Sequence, residues 1–426
     1  MDLIINNPYF NELKDKRLNL LNEQNIEGIM LLEYELIPDY STACPKCGSN
    51  IIIKYGTYTR KIRQKIFQHS ESIIILKVHK FKCCQCSTIF SDKYKELSGE
   101  SPITNTVKLH VLLDFKKDIS VAEIARRNGI SWQCAQNIFD TNIKIERFEL
   151  DEVLCFDEFK NLKKTEGKYA FLMYAPMNDK VIDVLPTRRQ DKLREYIIGI
   201  PPSERYRVKY IVTDMNESYR SIIKDFFPSA THVVDSFHYV RLVTKAFNDI
   251  RTQVQNSFSC LSWKYKMLKN NWRTLLMDTR KITCKELYNH KQKRKTSISE
   301  YLNDALTIDP RIDEAFSLLQ DFYDFCKNTK YEEVDEAFDK IINLFNNSSL
   351  DKFREVAKTL VSWRKEISNS FIRFGDKRLN NGYIEGMNNL IKVIKRVAYG
   401  YRNFDNFRNR IMFIKNEEFP TKIKIK

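Results

Sequence analysis

The sequence predicts an α/β multidomain protein. Three observations carry this: short β-branched runs that alternate with helical stretches between residues 151 and 240, a long charged and periodic stretch from 241 to 370, and two Cys-x-x-Cys pairs ahead of both. At 426 residues the chain can hold two or three domains, and 42% hydrophobic with 12% aromatic content is globular composition. A net charge of +16 and a pI near 9.2 call for a polyanionic partner, nucleic acid first. The charge is uneven: residues 371–426 hold 13 Lys and Arg against 5 Asp and Glu, which is half the net charge. No apolar run approaches the ~18 residues of a membrane span, and MDLIINNPYFNELKDK lacks a basic-then-apolar signal. An intracellular protein with no membrane partner is expected, so the ten cysteines read as thiols or metal ligands rather than disulfides.

Taken in order, residues 1–43 read as a helical lead, because NELKDKRLNLLNEQN mixes charge with Leu18, Leu20 and Leu21. Residues 44–100 read as a zinc ribbon. Cys44 and Cys47 form one knuckle and Cys83 and Cys86 the other, and two such pairs on hairpin tips close a tetrahedral thiolate site for Zn²⁺. The 36-position gap between knuckles exceeds the usual ~15 to 20. Residues 101–150 resemble a helix-turn-helix: Ser120 and Ser131 are placed to cap two helices and Gly129 to turn between them, with Ile124, Ile130, Ala135 and Ile138 as a small core. Trp132, Gln133 and Gln136 then face a DNA major groove.

Residues 151–240 carry strands VLCFDEF, YAFLMYA, KVIDVL, YIVTD and THVVD, with Asp157 and Asp214 at the ends of two of them. Strand alternation puts Glu158 on the face opposite Asp157. Residues 241–370 read as a helical insertion in which Trp263, Trp272 and Trp363 are core or packing residues, and the cysteines scattered along the whole chain, Cys134, Cys155, Cys260, Cys284 and Cys326, read as core. In residues 371–426, Ile384, Met387, Ile391, Ile394 and Val397 recur at spacings of three and four from Tyr383 to Ala398, an amphipathic helix. Its polar stripe, Glu385, Asn388, Asn389, Lys392, Lys395 and Arg396, suits a phosphate backbone.

The two knuckles, the helix-turn-helix, FDEF, VTDMNESY, DSFH and NGYIEGMNNLIKVIKRVAYGYRNFDNFRNRI occur in that order, and the chain resembles a bacterial insertion-sequence transposase of the ISL-three family. The resemblance implies an RNase H-like catalytic core with a triad of Asp157, Asp214 and Glu385, spaced 57 and 171 residues apart, with Asp235 and His238 matching an auxiliary DxxH element. It implies two Mg²⁺ or Mn²⁺ ions bound by the triad, double-stranded DNA (terminal repeats and target) as partner, a homo-dimer or higher oligomer on DNA, and a cytoplasmic, nucleoid-associated location. Cleavage and strand transfer through two ions suit three carboxylates converging within about 4 to 5 Å of a shared metal pair. A non-catalytic DNA-binding regulator and a structure-specific nuclease on the same core are the alternatives.

Overall fold

The computed structural model describes residues 17–67, 70–92, 102–163, 165, 167–282, 287–289, 294–374, 377–379, 382–398 and 400–416. Cys284 and the first sixteen residues of the expected helical lead lie outside them. The chain divides into two compact units, residues 1–146 with 389–426, and residues 147–388.

The first unit opens on a hairpin, β1 (Leu18–Ile26) and β2 (Ile29–Leu36), where a helix was expected. Glu27 and Gly28 take φ of 51° and 84° at its tip, the positive-φ pair of a tight two-residue turn, and that turn overrides the Leu pattern. Strands β3 (Ile52–Phe67) and β4 (Ser70–Cys83) form a long antiparallel hairpin, β4 also pairs in parallel with β2, and β5 (Ile89–Ser91) adds to β4. Leu32, Leu36, Ile62, Ile74, Leu76 and Val78 are buried as one cluster on this sheet. The length of the β3–β4 hairpin accounts for the wide knuckle gap: Ile52 pairs with Cys83, so the hairpin base carries both knuckles and everything between is a strand out and a strand back.

Three helices follow, α1 (Asn105–Phe115), α2 (Val121–Arg127) and α3 (Trp132–Asn142). Ser120 Oγ accepts from Glu123 N–H at 3.1 Å, Ser131 Oγ accepts from Cys134 N–H at 3.2 Å, and Gly129 takes φ of 61° between the helices. Phe115, Ile124, Ala135, Ile138 and Phe139 share their core with Phe413 of the last helix, Phe404–Lys415. Residues 389–426, which include that last helix, cluster with the first unit. Phe413 meets Phe139 edge-on at 5.6 Å, and the buried Arg410 donates to the carbonyls of Lys117 (2.8 Å) and Ile119 (3.2 Å) while lying 4.5 Å over the Phe115 ring.

The second unit is built on a five-stranded sheet of β6 (Val153–Lys160), β7 (Tyr169–Ala175), β8 (Lys180–Leu185), β9 (Tyr210–Thr213) and β10 (Thr231–Val234), in the order β10-β9-β6-β7-β8. β8, β7 and β6 run antiparallel, while β6, β9 and β10 run parallel. Helices α4 (Gln190–Ile198), α5 (Pro202–Arg207) and α6 (Glu217–Phe226) lie between strands, and Leu193, Ile197, Tyr219, Ile222 and Ile223 pack with Leu154, Phe156, Phe171 and Met173.

Among the described residues from α7 (Ser236–Asn256) to Asn369 the regular structure is helical, apart from a small strand pair, Leu287–Asn289 with Arg294–Thr296. One apolar cluster runs from Val234 and Tyr239 through Phe322, Phe338 and Phe353 to Trp363 and Phe371, so this segment has its own core continuous with β10. Trp363 is buried as expected, but Trp263 is 58% and Trp272 37% exposed. Each is the first residue of its helix, whose buried residues are others: Met267 and Leu268 after Trp263, Leu275 after Trp272. Cys155 is buried, whereas Cys260 is exposed rather than in a core.

A polar chain joins this helical segment to the sheet. Thr213 Oγ1 and His232 Nε2 are hydrogen-bonded at 2.8 Å, and His232 Nδ1 lies 4.0 Å from Glu366. Arg220 Nε donates to Glu366 at 2.9 Å, its Nη2 donates to the Ser362 carbonyl at 2.8 Å, and its guanidinium stacks 3.7 Å over Trp363. Asn369 Nδ2 donates to the His232 carbonyl at 2.8 Å. Burial, with the Arg220 charge nearby, pushes His232 down to about 4, so the ring is neutral at physiological pH.

Candidate functional site

Two sites collect chemistry-bearing residues, one in each unit. In the first unit the loop ahead of β3 carries Cys44 and Cys47, and the end of β4 with its following turn carries Cys83 and Cys86. All four Sγ atoms lie within 4.8 Å of one another, the one such group of three or more His, Cys, Asp or Glu among the described residues. Cys44 and Cys86 are 3.5 Å apart and Cys47 and Cys83 3.6 Å. A tetrahedral zinc with Zn–S of about 2.3 Å needs sulfurs about 3.8 Å apart, so these residues fit Zn²⁺. Gly48, at φ of 74°, and Ser87, at 57°, turn the chain after each knuckle. Hydrogen bonding to Thr88 lowers the Cys86 thiol, while the crowding thiols raise Cys47, so the cluster keeps some of its protons until a metal displaces them.

In the second unit the register of the parallel strands builds a row of acids. Cys155 pairs with Val212, and two residues further on Asp157 stands level with Asp214. Thr213 pairs with Val234, and one residue further Asp214 stands level with Asp235. The row therefore lies where β9 and β10 end and where β6, which itself continues to Lys160, stops pairing with β9. Asp157 and Asp214 are both buried enough that loss of solvent raises their carboxyls, Asp214 to about 6. His238, in the first turn of α7, favours their charged forms, and Asp235 caps the same helix at Phe237 N–H, 3.5 Å. Asp214 Oδ1 is buried without a hydrogen-bond partner among the described residues. An orphaned carboxylate oxygen beside a second buried carboxylate fits a hard divalent cation such as Mg²⁺ or Mn²⁺.

Glu158 lies on the other face, with Phe156. It accepts from Tyr219 Oη at 2.8 Å and pairs with Arg188, so it is tied into the core rather than into the acidic row.

The helix Gly382–Val397 buries Ile384, Met387, Ile391 and Ile394, the apolar stripe read from sequence. Asn388 Nδ2 donates to Asp157 Oδ2 at 2.7 Å, which fixes this helix face over the Asp157 strand. Glu385 is exposed one turn earlier. Among the described residues the three carboxylates do not close into one cluster; the contact to Asp157 is made by Asn388, which the sequence reading left out of the site. An Asn three residues after an acid on one helix face is the signal that was available. Further along, Lys392 and Arg396 are exposed, while Lys395 is half-buried with its ammonium 5.3 Å over the Phe407 ring, so it departs from the open cationic stripe.

Of the residues expected to read DNA, Trp132 is 61% exposed, and Gln133 and Gln136 donate to Asn137 (2.8 Å) and Asp140 (2.7 Å) on their own helix. Among the described residues no helix is long and apolar enough to cross a membrane.

Sheet and site together define an α/β protein organised around carboxylates on the central strand and just past the ends of its two parallel neighbours. A family model for transposases, the ISL-three branch of the DDE class, matches residues 154–411, which is more than half of the chain and spans the acidic row and the Glu385 helix. The chain belongs to the ISL-three family of transposases. A transposase for insertion sequence element IS1001 from Bordetella parapertussis is 24% identical over 375 residues, 85% of this chain and 86% of that protein. An uncharacterized 48.3 kDa protein of insertion element ISM1 from Methanobrevibacter smithii is 22% identical over 86% of this chain and 89% of its own length. A Lactococcus lactis protein named ATP-dependent protease matches at 34% identity over 104 residues, 24% of this chain and 30% of that protein, a stretch too short to speak for the whole.

Proposed function

We propose that this transposase binds the ends of its insertion sequence and catalyses divalent-metal-dependent strand cleavage and strand transfer from an RNase H-like core. The observation that carries the reading is the level placement of Asp157 and Asp214 on adjacent parallel strands, with the Glu385 helix bonded to Asp157 through Asn388. Three antiparallel strands followed by two parallel ones, with the acids on the central strand and its parallel neighbour, suit that core. Asp157, Asp214 and Glu385 would hold Mg²⁺ or Mn²⁺, which when bound neutralises charge at the attacked phosphate and at the entering and leaving oxygens. The chain's own part is to orient the aspartates. Thr213 Oγ1 donates to the Asp214 carbonyl at 2.7 Å and is itself bonded to His232, so the backbone at Asp214 is held. His238 lies close enough to favour the charged forms of the two aspartates.

In this reading the four cysteines bind a structural Zn²⁺. Helices α2 and α3 act as a helix-turn-helix, with Trp132, Gln133 and Gln136 at base edges, and Lys392 and Arg396 meet phosphates, with Lys395 a weaker contributor because of its Phe407 contact. The active form is a dimer or larger assembly on DNA. Incubating the purified chain and Mg²⁺ with linear DNA carrying the sequence that flanks its gene, plus a target plasmid, tests this. Nicks at the element ends and joined donor–target products are expected. Cleavage without joining would make the protein a nuclease, and end-specific binding without cleavage a regulator.

A further inference from the structure

The amide that meets the acidic row has two ends. Asn388 Nδ2 donates to Asp157 Oδ2 at 2.7 Å, and the other Asp157 oxygen accepts from the Glu158 backbone N–H at 2.7 Å. Asn388 Oδ1 is buried without a hydrogen-bond partner among the described residues, and Asp214 Oδ1 is in the same state. Buried acceptors are nearly always satisfied by a donor, a water or an ion. Two orphaned acceptors on residues that flank the same carboxylate are what a hard cation satisfies, because Mg²⁺ and Mn²⁺ take amide carbonyls as readily as they take further oxygens of any neutral kind. Turning the amide over without a cation would set Oδ1 against Asp157, so the carboxylate itself fixes which end donates.

We propose that Asn388 is a ligand of the acidic centre: its Oδ1 gives a neutral oxygen to a divalent cation held by Asp157 and Asp214, and its Nδ2 orients Asp157 toward that cation. The helix then supplies two different oxygens one turn apart, the charged one of Glu385 and the uncharged one of Asn388. A carbonyl adds a donor without adding a fourth negative charge to a site that already holds three carboxylates. The inference rests on the reading of this centre as a divalent-metal site.

The probe is Mn²⁺, titrated into the full-length, zinc-loaded protein and followed by the paramagnetic resonance signal of the free ion. Three variants are compared with wild type: Asn388→Leu, Asn388→Asp, and the double variant Asp157→Asn, Asp214→Asn. Asn388→Leu, which keeps the branched shape and loses both polar ends, should weaken Mn²⁺ about 10- to 100-fold with zinc content unchanged. Asn388→Asp keeps an oxygen donor and loses only the N–H, so a ligand role predicts a clearly smaller loss than Asn388→Leu shows. Wild-type affinity in Asn388→Leu overturns the proposal, as does a loss in Asn388→Asp as large as in Asn388→Leu, which would leave Asn388 only a positioning residue. If the double variant also binds like wild type, the metal-site reading itself fails, and that outcome is distinct from failure at Asn388 alone.

Discussion

The thiolate and carboxylate centres differ in how completely the chain alone assembles them. The four sulfurs stand at near-tetrahedral spacing, held by one hairpin base whose two ends are paired strand to strand. Thiols can be neutral, so nothing keeps them apart. The carboxylates come from three elements far apart in sequence, and ionised acids repel at short range. There the chain sets two aspartates level by strand register, buries them at a cost visible in their raised pKa values, and bridges to the helix with an uncharged amide. A site of soft thiols can be complete in the fold, whereas a site of hard carboxylates is left needing positive charge. One metal should therefore be integral and the other exchangeable.

The largest expected effect is on the thiolate side. Purified protein should carry about one zinc per chain, and Cys47→Ser with Cys83→Ser should remove it and broaden or abolish cooperative melting of the sheet that the knuckles close. Dialysis into Mg²⁺-free buffer, which leaves the zinc in place, should leave melting intact. Zinc retained in the double variant, or equal melting loss on Mg²⁺ removal, breaks the contrast.

A second test sharpens how the aspartate strand is held. His232 is depressed to about 4 by burial, so between pH 4 and 6.5 the unfolded chain binds more protons at this site than the folded one. Its contribution to stability is present above pH 6.5 and is lost as pH falls to 4, by about 3 kcal/mol. The raised Asp157 and Asp214 act in the opposite sense, so the quantity to measure is the difference between wild type and His232→Gln in urea unfolding at pH 7 and pH 4.5. The wild type should lose more on acidification; a difference independent of pH would contradict the neutral buried ring.

A smaller effect separates general from acid-centred DNA contacts. Lys392→Ala should weaken binding to all DNA alike and reduce the slope of log K against log salt by about one unit. A loss confined to element-end DNA would give Lys392 a reading role instead.

Much of this architecture is legible in the residues. The knuckles, the Ser120 and Ser131 caps with Gly129 between them, the alternating strands and the 3.6-residue stripe from Ile384 to Ile394 are local patterns, and local patterns survive folding. What was not legible depended on tertiary choice. The Leu-rich stretch from Leu18 reads equally as helix until the Glu27–Gly28 turn makes it a hairpin. The C-terminal helix finds its partner in Phe139 and Phe115, nearly 300 residues away in sequence, and no periodicity announces that. Aromatic character predicted burial for Trp263 and Trp272, yet helix-start positions leave them at the surface. In the acidic site the aspartates were marked by their strands, but the closing contact fell to Asn388 because an amide can approach a carboxylate that a glutamate repels.

The central claim is that Asp157, and not its neighbour Glu158, belongs to a metal-dependent active site. The direct measurement is Mg²⁺-dependent cleavage and joining of element-end DNA by Asp157→Asn and Glu158→Gln, side by side with their melting curves. Asp157→Asn should lose orders of magnitude in activity while remaining folded and binding DNA. Glu158→Gln gives up a partly exposed Arg188 pair and keeps an acceptor for Tyr219, so it should cost about 1 kcal/mol of stability and little activity. Equal loss of activity in the two variants, or full activity in Asp157→Asn, would contradict the account.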